Sequence, residues 1–302
     1  MDKFFRWLSG NKKNSSPPTQ DVANTAPLSE QQIQAIVNNQ NPRFDLQQLI
    51  SSCGQSVGKQ RELNEDSLLA ITTTMAGNTG NLPFGLYIVA DGMGGHQFGE
   101  VASNAAIRTV AGYILRKFHP YLFHIKADSM DESFQEIMQA AVSEAQRAIQ
   151  REAPGSGTTL TAALVLGQQI TVAHVGDSRA YFIYPDGRIE SLTRDHSLVK
   201  RLEELGHITP DEAVNYPHRN VLYRALGQGE ILDPDIFTVG FPQPGYLMIC
   251  SDGLWGVLTE EDLAHAVNEA SSLQRACQNL VNAANAAGGP DNISVILAQL
   301  IG

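Results

Sequence analysis

Short apolar runs separated by polar turns recur along the chain of 302 residues, and this alternation is typical of β-strands. Strands are predicted at 158–166, 169–175 and 180–184, and the Pro-Asp-Gly turn at 185–187 should return the chain into a neighbouring strand. Strands with such short connections pair antiparallel, because a parallel pair needs a crossover of about a dozen residues or more. The pattern therefore predicts antiparallel sheets and not a doubly wound parallel sheet.

Helical spacing of the apolar positions marks three longer stretches. Over 131–152 the apolar residues recur on one helix face, at Phe134, Ile137, Met138, Ala141, Val142, Ala145, Ala148 and Ile149. A similar stripe covers 101–118, and 259–269 opens with Thr259 and Asp262 at the spacing of a capping box. Such helices bury one face against a sheet, so the predicted fold class is α+β, in a single domain over residues 47–302.

Two segments depart from this pattern. Residues 1–46 are polar and contain Asn, Gln and Pro, so we predict a flexible N-terminal tail or linker; an amphipathic segment at 1–10 that touches a membrane or a partner is the alternative. Residues 194–230 hold two short predicted helices, capped by Ser197 and Thr209, and an irregular stretch. We interpret this insertion as a flap that faces a substrate, and a plain connecting excursion is the alternative.

Composition narrows the functional classes. The formal net charge is −11 and no dense Lys/Arg stripe offsets it, so binding to nucleic acid is not expected. No apolar run approaches the roughly 18 residues of a transmembrane segment. Cys53, Cys250 and Cys277 lack CxxC spacing, which favours reduced thiols in a cytoplasmic protein. The oligomeric state is open, and a monomer is the simplest expectation.

Four aspartates beside glycine-containing turns carry the candidate chemistry. Asp91, Asp177 and Asp252 each follow a strongly apolar run, and Asp291 follows the Gly-Gly-Pro segment at 288–290. For any one of them ordinary turn chemistry would suffice. Together they would gather where strands end in a core. Because isolated carboxylates there are costly, divalent cations are their expected partners.

A further charged segment, Arg61-Glu62-Leu63-Asn64-Glu65-Asp66, lies just before a predicted strand. The Arg61 guanidinium could bind a phosphate bidentately, and a cation held by the neighbouring acids Glu65 and Asp66 could bind the same phosphate. Taken alone, the segment is typical of a solvated charged loop.

Six motifs occur in order: Arg61-x-x-Asn64-Glu65-Asp66, Asp91-Gly92-Met93-Gly94-Gly95-His96, Ser156-Gly157-Thr158-Thr159, Val175-Gly176-Asp177-Ser178-Arg179, Ser251-Asp252-Gly253-Leu254-Trp255 and Gly289-Pro290-Asp291-Asn292-Ile293-Ser294. Their order and spacing resemble the metal-dependent type 2C (PPM family) serine/threonine protein phosphatases, in the bacterial branch. The resemblance covers about residues 50–302, including the flap.

The resemblance implies two stacked antiparallel β-sheets flanked by α-helices (an αββα sandwich), with two Mn²⁺ or Mg²⁺ ions at one edge. By position, Asp91 would bridge both cations, and Asp252 and Asp291 would complete one of the two sites. A ligand set made only of oxygen atoms favours Mg or Mn over zinc.

The other cation would be held, on the same resemblance, by Glu65 or Asp66 together with the Gly92 carbonyl. Asp177 would have a supporting role, because the matching acid in bacterial members helps to bind a third, weaker cation near the flap.

The implied reaction is hydrolysis of phosphoserine and phosphothreonine by direct attack of a metal-bridging water, with Arg61 orienting the phosphate. Met93 stands where animal members have a histidine that is the proposed proton donor to the leaving alcohol. Methionine cannot donate that proton. Bacterial members share this substitution, so the donor is left open while the activity is not in question.

The expected substrates are phosphorylated Ser/Thr proteins, including a Ser/Thr kinase or its targets in signalling. A catalytically silent, phosphoprotein-binding member of the same fold is one alternative, and a two-metal phosphodiesterase is another. Every acidic position that the resemblance implies is filled in this sequence, which favours the active phosphatase.

Overall fold

A computed structural model describes residues 46–302 except for gaps at 78–79, 95–97, 123–130, 210–211, 214–215, 218–219 and 230–231. The predicted tail at 1–46 lies outside the described residues, apart from residue 46, and so does His96.

The strands are β1 (Gln48–Ser56), β2 (Asp66–Gly77), β3 (Gly80–Met93), β4 (Gly157–Thr158), β5 (Leu160–Leu166), β6 (Gln169–Val175), β7 (Arg179–Ile183), β8 (Ile189–Ser191), β9 (Asp235–Gly240), β10 (Tyr246–Cys250) and β11 (Ile293–Ile301). The helices are α1 (Gly99–Leu122), α2 (Phe134–Glu152), α3 (Leu198–Glu204), α4 (Asp252–Trp255), α5 (Glu260–Asn268) and α6 (Leu273–Ala286).

The strands form two antiparallel sheets. The first has the order β1-β11-β10-β7-β8, and the second has the order β2-β3-β5-β6-β9, with β4 paired to β3. The described neighbours in both sheets pair antiparallel. The short predicted connections are therefore confirmed, including the turn at 185–187 that returns β7 into β8.

The sheets stack face to face, and helices cover both outer faces. Side chains from both sheets fill the space between them, among them Val89, Val172 and Ile296. Helices α1 and α2 pack on the second sheet through residues such as Ile114 and Ile137, and α5 and α6 pack on the first sheet. This αββα arrangement confirms the predicted fold class.

Side-chain caps fix where α2 and α5 begin. Ser133 accepts a hydrogen bond from Glu136 N and forms a capping box, so α2 begins at Phe134 and not at 131. Thr259 and Asp262 form the predicted capping box of α5. Among the described helices, none has both the length and the apolar character needed to cross a membrane.

Candidate metal centre

The acidic residues of both sheets meet at one end of the sandwich. Asp66 lies directly opposite Asp91 in the antiparallel register of β2 and β3. Asp252 begins α4 just after β10, and Asp291 lies just before β11, which is paired with β10. A cleft of about 250 Å³ lies at this end, and its lining includes Arg61, Glu65, Asp91, Gly92, Met93, Thr159, Asp177, Asn220, Leu222, Asp252, Asp291 and Asn292.

The cleft gathers the predicted site residues, with one difference between the neighbouring acids Glu65 and Asp66. Glu65 borders the cleft, whereas Asp66 does not and is only 6% exposed. Ser251 Oγ donates a hydrogen bond of 2.7 Å to Asp66 Oδ2. Glu65 therefore borders the cleft, whereas Asp66 is buried beside Asp91.

Four carboxylates of the centre, those of Asp66, Asp91, Asp177 and Asp252, have raised pKa values, and burial is the main cause. Burial raises the pKa of Asp66 to about 7 and that of Asp252 to about 6. Burial also raises the pKa of Asp91 well above its usual range, and the neighbouring charges of Asp66 and Asp252 add to it. The pKa of Asp177 is also raised, by burial and by the charge of Asp252. These acids repel one another in a setting that solvates them poorly.

Two of their oxygen atoms have no hydrogen-bond partner. Among the described residues, the buried side-chain atoms without a partner are Asp66 Oδ1 and Asp252 Oδ1. A buried carboxylate oxygen without a donor is costly, and a divalent cation that it ligates would remove the cost. The donor chemistry therefore fits a hard divalent cation, because the cleft-lining acids offer oxygen and no described cysteine or histidine joins them.

The side chains are not arranged as a finished ligand set. In the part of the chain that the structure describes, no group of three His, Cys, Asp or Glu residues stands ready to hold a metal ion. Asp291 is instead paired with Arg61, at 2.7 Å between Oδ2 and Nη2. Binding of a cation by this Asp291 oxygen would require it to leave the arginine.

Gly92 is packed so closely that no side chain fits there. A Cβ atom would lie 2.2 Å from Gly99 O and 2.6 Å from Glu65 O. At the cleft, the Gly92 backbone therefore lies against Glu65, the residue before β2, and against Gly99, the first residue of α1. The Asp-Gly pair at 91–92 is therefore a packing requirement and not ordinary turn chemistry.

Several positioning residues were missed by the sequence analysis. Asn292 Oδ1 accepts from Glu65 N at 2.8 Å, and Asn292 Nδ2 donates to Val57 O and Leu63 O. Ser251, which holds Asp66, also receives a hydrogen bond from Ser294 N. The one available signal was their place beside Asp252 and Asp291 in the motifs.

A larger cavity of about 560 Å³ continues from the cleft beneath the flap. It shares Arg61, Asp177, Asp252 and Asp291 with the cleft, and the flap contributes Ser197, Lys200, Glu203 and Asn220. The predicted flap thus borders both spaces, as expected of a substrate-facing segment. Its first helix, α3, is capped by Ser197 as predicted.

An αββα sandwich with a carboxylate cleft beside an arginine offers ligands for hard cations and a group that can bind phosphate, which is the equipment of a metal-dependent phosphatase. The family model described as "Protein phosphatase 2C" matches residues 51–206 and 231–293. The chain belongs to the protein phosphatase 2C family.

Relatives and solved structures support this assignment. The serine/threonine phosphatase stp of Listeria welshimeri is 34% identical over 246 residues, which cover 80% of this chain and 92% of that protein. The protein phosphatase PhpP of Streptococcus pneumoniae is 33% identical over 247 residues, which cover 81% and 94%.

Among solved structures, the Mycobacterium tuberculosis serine/threonine phosphatase PstP/Ppp is 31% identical with a TM-score of 0.68, covering 84% of this chain and all of that one. The catalytic domain of PstP in complex with 2 manganese ions is 30% identical with a TM-score of 0.66, covering 85% and 100%. The predicted family, fold class and protein phosphatase activity are confirmed.

Proposed function

We propose that this chain hydrolyses phosphoserine and phosphothreonine in proteins with two divalent cations, Mn²⁺ or Mg²⁺, bound in the carboxylate cleft. The observation that supports this most is the cluster of acids with raised pKa values and two partnerless oxygens beside Arg61. Cations bound there would supply charge neutralisation at the phosphoryl oxygens and an activated water as the nucleophile.

The proposed ligands follow the lining of the cleft. Asp91, Asp252 and Asp291 would hold one cation, and Asp91 with Glu65 or Asp66 and the Gly92 carbonyl would hold the other. Asp177 would contribute to a third, weaker site. Asp66 accepts from Ser251 through Oδ2 and would ligate a cation through its partnerless Oδ1.

Arg61 is proposed to bind the phosphate. Its side chain is 47% exposed and pairs with Asp291 through Nη2. The remaining guanidinium N–H groups could bind two phosphate oxygens in parallel. The arginine would thereby place the phosphorus atom over the centre.

We further propose phosphorylated proteins as substrates, including a Ser/Thr kinase or its targets, and a signalling role for a monomeric cytoplasmic enzyme. The described thiols Cys53, Cys250 and Cys277 are free, which supports a reducing compartment. Light scattering would test the monomer, and a mass well above 32.8 kDa would contradict it.

Hydrolysis of p-nitrophenyl phosphate at increasing Mn²⁺ tests the activity. We expect metal-stimulated turnover, and we expect Asp252→Asn to lower kcat/KM by more than about 100-fold, because it removes a proposed ligand. The matched control is Asp186→Asn, which changes an exposed Asp-Gly turn residue and should leave turnover intact.

Two further assays, with phosphopeptides and with a phosphodiester, separate the alternatives. Phosphoserine and phosphothreonine peptides should be hydrolysed faster than a phosphotyrosine peptide, and bis-p-nitrophenyl phosphate should be a poor substrate. If the unaltered protein binds phosphopeptide without metal-stimulated turnover, the silent binding member is correct. Preferred cleavage of the diester would instead favour the phosphodiesterase.

A further inference from the structure

Arg179 joins two parts of the site that are distant in sequence. It opens β7, two residues after Asp177, and its side chain is 24% exposed. Its Nε and Nη2 donate to the two carboxylate oxygens of Asp195, at 2.9 and 2.7 Å, and its Nη1 donates to Tyr181 Oη at 3.0 Å. Asp195 is the second residue of the flap segment. The bidentate pair therefore attaches the flap to the strand that follows Asp177.

The same guanidinium stacks on Trp255. Its central carbon lies 3.5 Å from the ring centroid, which is the distance of a close planar contact. Trp255 ends α4, the helix that Asp252 begins, and its Nε1 donates to the backbone oxygen of Asp177 at 2.9 Å. The Arg179 guanidinium thus packs on the indole of Trp255, and the indole N–H is bonded to the Asp177 backbone.

These contacts distinguish Arg179 from Arg61. Although Arg179 lines the larger cavity, each of its three guanidinium nitrogens already donates to a protein oxygen. A substrate phosphate would have to displace the bidentate bond to a carboxylate that is almost fully buried. Arg179 is therefore suited to hold other groups in place and not to bind the phosphate.

The flap root is tied to the Asp177 loop by the backbone as well. His196 N donates to Gly176 O at 2.7 Å, and Gly176 N donates to His196 Nδ1 at 3.1 Å. Two hydrogen bonds therefore join His196, which follows Asp195, to Gly176, which precedes Asp177. A displacement of Asp195 would be transmitted to the Asp177 loop through this pair of bonds.

We propose that Arg179 is a positioning residue that couples the order of the flap to cation binding at Asp177, through its ion pair with Asp195 and its stack on Trp255. The inference rests on the proposed function, because that function supplies the role of Asp177 as a ligand.

Two variants disturb different parts of the contacts that surround Arg179. Arg179→Lys keeps the charge but cannot form the bidentate pair or the planar stack, so it should disturb both the flap and Asp177. Trp255→Phe keeps an aromatic ring beneath the guanidinium but removes the N–H bond to Asp177 O, so it should disturb Asp177 and spare the flap. The matched control is Arg188→Lys, since Arg188 also pairs with an aspartate and stacks on an aromatic ring, but at the exposed β7–β8 turn.

Two measurements on the full chain do not require turnover. Mn²⁺ binding, followed by electron paramagnetic resonance of the free ion, should weaken about tenfold in its weaker class of sites for both variants. Hydrogen–deuterium exchange of the α3 amides in metal-free protein should accelerate in Arg179→Lys alone. A phosphopeptide assay should show a raised KM for Arg179→Lys, while thermal melting establishes that each variant is folded.

Each outcome decides the inference. Unchanged Mn²⁺ binding and unchanged α3 exchange in folded Arg179→Lys would overturn it, and so would equal effects in Arg188→Lys. If Arg179→Lys does not fold, Trp255→Phe decides alone, and wild-type Mn²⁺ affinity in that variant would refute the coupling. Failure of the proposed function would appear separately, as absent turnover in the unaltered protein.

Discussion

Asp66 shows how a single buried carboxylate shapes the stability of this protein. Ser251 donates to one of its oxygens, the other has no partner, and burial raises its pKa to about 7. In the unfolded chain the same group would lose its proton near pH 4. Between these values the folded state holds more protons than the unfolded state, so stability falls as the pH rises.

We therefore expect the melting temperature of the metal-free protein to fall between about pH 4 and 7, and Asp66→Asn to flatten part of that slope. Each pKa unit corresponds to about 1.4 kcal/mol, or roughly 3–6 °C in Tm for a domain of this size. Thermal melts with a chelator measure the effect, and Asp186→Asn serves as the control. If the Tm of Asp66→Asn falls with pH as steeply as that of the unaltered protein, Asp66 does not carry the buried proton.

At the residue scale, the sequence identified the acids but not their separate roles. Glu65 and Asp66 are adjacent in the chain, and only the folded structure shows that Glu65 borders the cleft while Asp66 is buried and bonded to Ser251. Ser251 and Asp66 are 185 positions apart. No local pattern reports a contact across such a separation.

At the scale of elements, the flap is held at both ends. Its beginning is fixed by the Arg179–Asp195 pair, and its end returns to β4 through backbone bonds between Leu226 and Thr158. Gln146 on α2 adds a side-chain anchor: its Oε1 accepts from Gly227 N at 2.7 Å, and its Nε2 donates to Gln228 O and Gly229 O. The helix thereby fixes the point where the flap rejoins the domain.

Gln146→Ala should lower the free energy of unfolding by about 1–3 kcal/mol, because it leaves the Gly227 N–H without its partner in a partly buried place. Chemical denaturation measures this loss. The matched control is Gln150→Ala, one turn further along α2, where an exposed side chain makes a single bond to Gly229 O. Equal losses in the two variants would mean that the helix surface, and not the flap anchor, is responsible.

The helices and strands themselves were largely predictable, because their signals are local. The elements are defined by signals within a few residues of them, such as the Thr259 cap, the apolar stripe of α2 and the turn at 185–187. The Arg179–Trp255–Asp177 contacts were not predicted. They join a strand, a helix end and a loop whose proximity depends on sheet packing.

At the scale of the whole molecule, the centre depends on the stacking of the two sheets. Asp66 and Asp91 belong to one sheet, whereas Asp252 and Asp291 flank strands of the other. A chain of hydroxyl contacts crosses between the sheets, from Ser51 to Thr72 at 2.6 Å and from Thr72 to Tyr87 at 3.0 Å. The site therefore forms only when the sandwich is complete.

Deletion of residues 1–45 should leave both Tm and turnover of p-nitrophenyl phosphate unchanged. The described domain begins with β1, which pairs along its length with β11, and the family match begins at residue 51. Melting curves and steady-state kinetics of the shortened and full chains provide the comparison. A large loss of either quantity would show that the tail belongs to the folded unit.

The sequence by itself determined the class of elements, their antiparallel pairing and the set of acidic and arginine residues that mark the family. These follow from hydrophobic periodicity, turn chemistry and ordered motifs, which are written in neighbouring residues. Only the tertiary structure decided which acid borders the cleft, that Arg61 pairs with Asp291 and that Arg179 links the flap to Trp255. Those contacts arise where two sheets and a flap converge, and their partners are far apart along the chain.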